Sequence, residues 1–596
     1  MSPNSTTGNI RWITAAICNR MRFLAIVFLI LSPASFADTQ AQQIATTSST
    51  LTAQTRDLYD IKFRLDANEK SFTGTERLRW TNRDDKSTSV LYFHLYANLR
   101  AQNALASTDE PRLEVSEVRG GDNGSPLAFA LDDQATTLRV TLRSPIAAGA
   151  STEVVITFKG SVPEIDPEET GILAHIIQQV DAVLRSEHET RRARDINFRC
   201  RDVTLLGAAY PVLAARDGDD WQRKVEPSIG DALFTDVGDY RVTIETAPGM
   251  RVFTSGEATG RQDESAQSFF FTGDGLRNFA IIAGRNLRTQ ERVVAGVRVS
   301  SVFSSEREVI GTRVLDISAA AVEAFAARFG DLPYKHLNIV EAPLVAGLGS
   351  VEFSGLTVIA RALYVDFDSQ TIRNLPEIVR EQRASVEDSL EWTVAHGVAQ
   401  QWWGAAVGND PERSPVLDEA LSNWSALLYY KEACGEERAA NALEDQLRGV
   451  YRIYRTFGGE DMPADRSARE YRNFFQYAAI VNSKGALMFT ALRGLLGDEK
   501  FFGALRSYYK TNAFEIAEMD DLQGAFIAEA PLAQRRAVSR IFQRWLSSKR
   551  GDEDIAPPDP QLAMELGISP NMQKNGDRNA FVRFGKFFWQ QMTRIR

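Results

Sequence analysis

The residues best suited to chemistry lie between positions 396 and 404, which read His-Gly-Val-Ala-Gln-Gln-Trp-Trp-Gly. Two histidines spaced one helical turn apart can hold zinc from one face of a helix, and a glutamate directly after the first can activate a zinc-bound water. Here His396 occupies the first ligand position, Gly397 the position of the glutamate and Gln400 that of the second histidine. The segment therefore has the spacing of a zinc site without the side chains that such a site needs.

The residues around this segment support the alignment. The frame continues through Ala399, Gln401, Trp402, Trp403 and Gly404. With His396 they resemble the H-E-[LI]-A-H-Q-W-[FW]-G run of the M1 aminopeptidase family, the alanyl aminopeptidase-like zinc metallopeptidases among the gluzincins. Eighteen residues separate Gln400 from Glu419, and the resemblance identifies Glu419 as the third metal ligand.

Two further segments resemble the same family, and the resemblance extends more weakly from about residue 52 to residue 550. Residues 349–353 read Gly-Ser-Val-Glu-Phe and resemble a G-x-M-E-N loop, in which Glu352 would bind the free amino terminus of a peptide. Residues 482–485 read Asn-Ser-Lys-Gly and are similar to a Y-x-K-G segment whose tyrosine stabilises the oxyanion. Asn482 stands in the position of that tyrosine.

The replaced residues remove separate parts of the reaction. A catalytic zinc ion takes three protein ligands and keeps an open position, and the carboxamide of Gln400 is a poor substitute for imidazole. We therefore expect zinc to bind weakly or not at all, with His396 and Glu419 as its ligands. General-base assistance is worth about 10²–10⁴ in rate, and loss of one oxyanion donor costs about 10²–10³. No intact catalytic residue is expected.

Gly397 also weakens its own helix, because glycine costs about 0.8–1.0 kcal/mol there relative to alanine. Two explanations stay open: backbone or ligand approaches closely at this position, or the residue drifted after activity was lost. Glu352 and Glu419 would face one cleft, where a peptide's α-ammonium would relieve the repulsion between them. Alternatively each carboxylate pairs with a nearby base, and Lys484 is the candidate partner of Glu419.

Charge and the termini indicate the setting of the protein. The 596 residues include 68 basic and 78 acidic side chains, a net charge of −10, which argues against nucleic acid as a partner. Residues 1–37 contain a short apolar run after basic residues and before small ones, and we interpret them as a signal peptide, with an uncleaved anchor as the alternative. We expect an exported protein, periplasmic or extracellular. Cys200 and Cys434 would be separate thiols in different domains, with a disulfide between them as the alternative.

The pattern of apolar residues predicts an α+β fold. Residues 52–290 alternate apolar and polar side chains and read as an antiparallel β domain, with 168–200 as a more helical insertion. Residues 305–550 have helical periodicity, and the resemblance implies a thermolysin-like domain with a helical lobe. We interpret 551–577 as a linker and 578–596 as a basic amphipathic helix, which either contacts a membrane surface or docks on the lobe.

These observations favour an exported, catalytically inactive pseudopeptidase that binds a peptide amino terminus or a protein partner. A zinc-dependent aminopeptidase with a non-standard metal site is the alternative from the enzyme class. A third hypothesis assigns the main role to membrane contact through residues 578–596.

Overall fold

Alternating buried and exposed residues form the first long strands, as their period of two predicts. The computed structural model describes residues 56–565 except 67, 69, 101–110, 123, 176, 179–191, 219, 226–227, 261–266 and 375–379. Strand β1 (Asp57–Asp66) buries every second side chain, including Ile61 and Phe63, and strand β2 (Ser71–Thr81) continues the alternation. One face of these strands is therefore core and the other is solvated.

The remaining described strands run from residue 88 to residue 360. They are β3 (Thr88–His94), β4 (Arg112–Gly120), β5 (Ala128–Asp132), β6 (Thr137–Ile146), β7 (Ser151–Ser161), β8 (Asn197–Cys200), β9 (Val203–Leu206), β10 (Val212–Leu213), β11 (Arg216–Asp217), β12 (Asp220–Trp221), β13 (Gly238–Glu245), β14 (Arg251–Thr254), β15 (Glu257–Ala258), β16 (Ser268–Leu276), β17 (Ile281–Gly284), β18 (Leu287–Val294), β19 (Val297–Ser304), β20 (His336–Ala342), β21 (Ser350–Phe353) and β22 (Leu356–Ala360).

These strands form several sheets of different size. The largest has the order β15-β16-β13-β1-β2-β7-β4, and two four-stranded sheets have the orders β10-β3-β6-β5 and β14-β17-β9-β8. All pairings in them are antiparallel except that of β1 with β13. The mixed sheet β18-β19-β20-β22-β21 ends in the antiparallel hairpin β21–β22, which carries Glu352. The short pair β11–β12 stands apart.

Helices dominate after residue 305. They are α1 (Glu308–Phe329), α2 (Gln370–Arg373), α3 (Arg383–Ala399), α4 (Leu421–Tyr429), α5 (Glu436–Ala442), α6 (Gly449–Thr456), α7 (Phe474–Tyr477), α8 (Ala486–Asn512), α9 (Met519–Glu529), α10 (Arg535–Ser547), α11 (Gly551–Asp554) and α12 (Pro560–Glu565). Wider π-helical turns adjoin several of them: Val416–Ala420, Tyr430–Cys434, Leu443–Arg448 and Ala478–Gly485. This β-rich first half and mixed, helix-rich second half confirm the predicted α+β class.

The helix that carries His396 ends earlier than its hydrophobic pattern indicates. The hydrophobic pattern predicts a helix over 385–404, but α3 stops at Ala399 and the chain then turns, with Gly404 at φ +119. Such a backbone angle is open to glycine and strained for other residues. Trp402 and Trp403 lie beyond the helix and are buried, as is Trp424 on α4, so these rings belong to the core.

The segments at the edges of the predicted domains differ in how much the structure describes. Residues 551–565, in the predicted linker, form α11 and α12, and Asp552 on α11 is ion-paired with Arg455 of α6. Residues 1–37 and 578–596 lie outside the described part of the chain, as does 179–191 in the expected insertion. Cys200 and Cys434 are free thiols, as predicted. None of the helices described between residues 56 and 565 is long and apolar enough to cross a membrane.

Candidate functional site

His396 and Glu419 meet at the junction of two helices. His396 lies in the last turn of α3, and Glu419 lies in the π-helical turn Val416–Ala420 that leads into α4. His396 Nε2 is 3.7 Å from Glu419 Oε2. Burial lowers the pKa of His396 to about 4, so the imidazole is neutral at pH 7. The first and third predicted ligand positions therefore converge in an arrangement that is not an ion pair.

Gly397 lies against the hairpin that carries Glu352. A Cβ built on Gly397 would lie 2.5 Å from Thr357 Cγ2 and 3.2 Å from Glu352 Oε1. Thr357 Oγ1 also donates a hydrogen bond of 3.1 Å to the carbonyl oxygen of Gly397. The space that a general-base side chain would enter is thus filled by a threonine on β22. The atoms that approach Gly397 belong to side chains, not to backbone or a ligand, so the choice between close approach and drift after loss of activity stays open.

Gln401 fixes the same hairpin to the end of α3. Its Oε1 accepts a hydrogen bond from the amide of Gly355 at 2.8 Å, and its Nε2 donates to the carbonyl oxygen of Phe353 at 3.1 Å. The Gln401 side chain is completely buried, so both bonds form away from water. They tie the backbone on either side of the hairpin turn to the helix, and thereby hold the strand that carries Glu352.

Gln400 occupies the second ligand position, but its side chain does not have the chemistry of a metal ligand. Its side chain is 2% exposed, and its Oε1 would lie only 2.6 Å from a Cβ on Gly404. Among the described residues, none forms a hydrogen bond with the buried Nε2. Gly404 therefore provides room for the carboxamide, next to Asp418, whose Cβ is 3.7 Å from the same built atom.

The residues present do not fit a three-ligand zinc site. One imidazole and one carboxylate converge, but the third position holds a neutral carboxamide, whereas catalytic zinc takes His, Cys, Asp or Glu at three positions. Within the described ranges no group of three or more His, Cys, Asp and Glu residues could hold a metal ion.

Asn482 lies in the π-helical turn Ala478–Gly485. Its buried Oδ1 has no hydrogen-bond partner in the described part of the chain. The turn packs closely on the one that carries Glu419, since a Cβ on Gly485 would be 2.8 Å from Ala420 Cβ. Lys484, next to Gly485, is buried and does not pair with Glu419 as expected: its Nζ donates to Asp461 Oδ1 and to the carbonyl oxygen of Ser548, both at 2.8 Å.

A cleft with a cavity volume of about 90 Å³ opens beside these residues. Glu352 and Gln400 line it, together with Asp418, Asp231 and Arg277, whereas His396, Glu419 and Asn482 are not among its lining residues. Burial, and then the charge of Asp231, raise the pKa of Asp418 to about 8. Burial and the charges of Glu419, Asp418 and Asp231 also raise the pKa of Tyr477 well above its usual range. A pKa of about 8 leaves the carboxyl group of Asp418 largely protonated at pH 7.

Several residues of this site were not predicted from the sequence. Asp418 directly precedes Glu419 in a recognised segment, but no role was predicted for it. Thr357 follows the segment 349–353 by four residues, whereas Asp231 and Arg277 lie far from the recognised motifs along the chain. Proximity to a motif in sequence could have indicated Asp418 and Thr357.

Comparisons with known proteins agree with the fold and with the resemblance that the motifs indicate. Residues 320–545 match the peptidase family M1 domain. The chain is 24% identical over 506 residues to an aminopeptidase N of Lactobacillus delbrueckii subsp. lactis, covering 82% of this chain and 50% of that protein. It is 27% identical over 215 residues to aminopeptidase M1-D of Oryza sativa subsp. japonica, covering 36% of this chain and 23% of that protein. The chain thus spans half or less of the length of these relatives.

Solved structures show the same fold. An M1 zinc metallopeptidase from Deinococcus radiodurans superposes with a TM-score of 0.55 at 16% identity, over 83% of this chain and 95% of that one. A mutant of that enzyme bound to a Tyr-ser-ala substrate superposes with a TM-score of 0.53 at 17% identity, over 83% and 94% of the two chains. Taken with the residues around His396 and Glu419, these matches confirm the resemblance of this chain to the M1 peptidase family.

Proposed function

We propose that this protein is a catalytically inactive relative of the M1 peptidases that binds the free amino terminus of a peptide or protein partner. The observation that carries the proposal is the contact at Gly397. A Cβ there would lie 2.5 Å from Thr357 Cγ2, so a general-base side chain has neither the atoms nor the space. Gln400 and Asn482 supply neutral carboxamides where a metal ligand and an oxyanion donor are expected.

Binding is supported by what the cleft retains. Glu352 lies on the edge hairpin of the mixed sheet and lines the cleft. A carboxylate in a largely enclosed site binds an ammonium group by charge-assisted hydrogen bonds. One structural relative is a peptidase mutant bound to a tripeptide substrate, which shows that this fold accommodates such ligands in that protein.

The test compares turnover with binding in the same purified protein. We expect no release of fluorophore from aminoacyl substrates, with or without added zinc, and measurable calorimetric binding of a tripeptide that has a free amino terminus. Acetylation of that terminus should abolish binding, and Glu352→Gln should weaken it about tenfold because a charged hydrogen bond is lost. The control is Glu306→Gln, which replaces a carboxylate that is 85% exposed. Absence of binding by unmodified tripeptides would reject the proposal.

A second function is favoured by the 3.7 Å approach of His396 Nε2 to Glu419 Oε2. Two donors at this separation could contribute to a non-standard zinc site of an active aminopeptidase. Metal analysis decides between the two: near-stoichiometric zinc, chelator-sensitive turnover and loss of both in His396→Ala would replace the first proposal. Zinc-free protein without turnover would support the first proposal, that of an inactive protein.

Export and surface contact complete the proposal. The apolar run within residues 1–37 supports a signal peptide and a periplasmic or extracellular location. The five basic residues and no acidic residue of 578–596 support contact with an anionic membrane surface. Fractionation of cells that express the full chain or a chain lacking 578–596 tests the contact. An unchanged membrane fraction after truncation would contradict it.

A further inference from the structure

Strand β5 forms an open edge of the four-stranded sheet β10-β3-β6-β5. It pairs with β6, from Ala128 opposite Thr141 to Asp132 opposite Thr137. Among the described residues, none outside β6 forms a backbone hydrogen bond with 128–132. An edge strand of this kind presents a row of unpaired amide and carbonyl groups, which a further strand can bind.

The same strand extends the apolar face of the sheet beyond its cover. Phe129 lies opposite Val140 of β6, and Leu131 lies opposite Leu138. Directly opposed residues of two antiparallel strands share a face of the sheet. Val140 and Leu138 are completely buried, whereas Phe129 is 38% and Leu131 is 44% exposed. The core face of the sheet therefore continues to its edge, where two large apolar side chains remain accessible to water.

The opposite face of β5 has small residues in its centre and unlike charges near its two ends. Ala128 and Ala130 alternate with Asp132, which ends the strand. Arg143 of β6 lies beyond Ala128, and its Nη2 is 3.4 Å from the carbonyl oxygen of Pro126. Arg143 is exposed and forms no ion pair with a described carboxylate. The edge is therefore acidic where β5 ends and basic where it begins.

A second copy of β5 complements this edge in the antiparallel direction. With a two-fold axis at Ala130, Phe129 of each copy would lie opposite Leu131 of the other, so two apolar pairs would flank the axis. The same arrangement brings the acidic end of each strand to the basic end of its partner, with Asp132 facing Arg143 across the small side chain of Ala128. A parallel alignment would instead bring like charges together.

We infer that β5 is the interface of a homodimer in which the four-stranded sheets of two copies join edge to edge into one continuous sheet. The inference is independent of peptide binding, since no residue of β5 lines the cleft beside Glu352. The strand has five residues, whereas a standard stable interface buries about 1,200–2,000 Å². We therefore expect reversible dimerisation with a dissociation constant in the micromolar range.

Sedimentation velocity of the full chain over a range of micromolar concentrations tests the inference. The parent protein should shift from monomer to dimer as its concentration rises. Ala130→Glu should raise the dissociation constant at least about tenfold, because the two glutamates would oppose each other at the axis. In the monomer the new carboxylate lies opposite Arg139, which accommodates its charge. Ala258→Glu is the control, since it adds the same charge to an exposed position of another edge strand, β15.

A mixing experiment identifies the axis. Ala130→Lys should also prevent self-association, because two ammonium groups would then oppose each other. An equimolar mixture of Ala130→Glu and Ala130→Lys should dimerise again, since opposite charges meet at residue 130 only in a pair of unlike copies. Circular dichroism spectra that match the parent show that both variants fold.

The outcomes decide for or against this interface without affecting the proposed peptide binding. A parent protein that stays monomeric throughout the concentration range overturns the inference. A dimer that Ala130→Glu weakens no more than Ala258→Glu also overturns it, as does a mixture that associates no better than either variant alone. Dimerisation that both variants lose and their mixture regains supports it.

Discussion

At the scale of single residues, the position after His396 is decided by packing as much as by chemistry. Gly397 has no side chain, and the methyl group of Thr357 occupies the adjoining space. The hydroxyl of Thr357 meanwhile satisfies the carbonyl oxygen of Gly397. A substitution at residue 397 therefore acts on the contact between α3 and β22, whatever it does to catalysis.

Gly397→Ala should destabilise the protein, although alanine is the better helix former. Because its Cβ would lie 2.5 Å from Thr357 Cγ2, overpacking should lower the free energy of unfolding by about 1–3 kcal/mol. Gly494 in α8 is the matched control, since a Cβ there meets nothing within 4 Å. Gly494→Ala should raise the free energy of unfolding by about 0.5–1 kcal/mol. Urea unfolding followed by far-UV circular dichroism measures both.

The double variant Gly397→Ala/Thr357→Ser identifies the cause. Serine removes Cγ2 and keeps the hydroxyl that donates to Gly397, so much of the lost stability should return. If Gly397→Ala instead stabilises the protein as Gly494→Ala does, the contact with Thr357 does not limit the side chain at residue 397. There would then be no steric reason against a general base at this position.

At the scale of elements, the strands of the large sheet bury a carboxyl group without a partner. Glu76 lies in the middle of β2, opposite Ile61 of β1 and Ile156 of β7. It is fully buried, and within the part of the chain that the structure describes neither of its side-chain oxygens has a hydrogen-bond partner. Burial raises its pKa well above the usual range. The core of the sheet therefore favours the protonated form of this carboxyl group.

Glu76→Gln should stabilise the protein increasingly as the pH rises. The unfolded chain ionises Glu76 near pH 4.3, while the folded chain keeps its proton, so folding becomes less favourable as the pH rises from that value to the folded pKa. The gap in unfolding free energy between variant and parent should widen by up to about 1.4 kcal/mol per pH unit between pH 5 and 7.

The surroundings of Glu76 do not obscure this comparison. The buried phenols of Tyr59, Tyr210 and Tyr240, which sense its charge, have pKa values raised by burial and do not titrate in this range. Asp57, whose pKa burial raises to about 6, is present in both proteins. Glu245→Gln at an exposed position of β13 is the control. A constant gap from pH 5 to 7 would show that Glu76 is ionised in the folded protein.

At the scale of the whole molecule, one buried arginine joins the β-rich half to the helical half. Arg277, which follows β16, donates to the carbonyl oxygens of Thr235 at 3.2 Å, Ala405 at 2.9 Å and Glu515 at 2.6 Å. Gly408 makes room for it, because a Cβ there would lie 2.2 Å from Arg277 Cζ. The packing of the halves, and with it the shape of the cleft, depends on this side chain.

Arg277→Met should cost about 3 kcal/mol or more in unfolding free energy, since buried carbonyl oxygens lose their donors at about 1–3 kcal/mol each. Because the bonds cross between the halves, the two should also unfold less cooperatively, so tryptophan fluorescence and far-UV circular dichroism should no longer give coincident transitions. Arg285→Met is the control, as Arg285 is exposed. A variant as stable and as cooperative as this control would contradict the role of Arg277.

Several features could be predicted from the sequence. They are the α+β class, the alternation of β1, the placement of His396 and Glu419, and the loss of base, ligand and phenol. These features depend on local spacing: a period of two for strands, 3.6 residues per turn for helices and fixed distances within motifs. Local patterns were less reliable at helix ends. For example, α3 stops at Ala399 because the turn at Gly404 follows.

Only the tertiary structure decided what fills the space beside Gly397, that Lys484 pairs with Asp461, and that Asp231 joins Asp418 in one cleft. In each case the partners are more than twenty residues apart along the chain. Contacts of this kind follow from how strands and helices pack, and a core packed to the density of an organic crystal admits one neighbour and excludes another by differences below 1 Å.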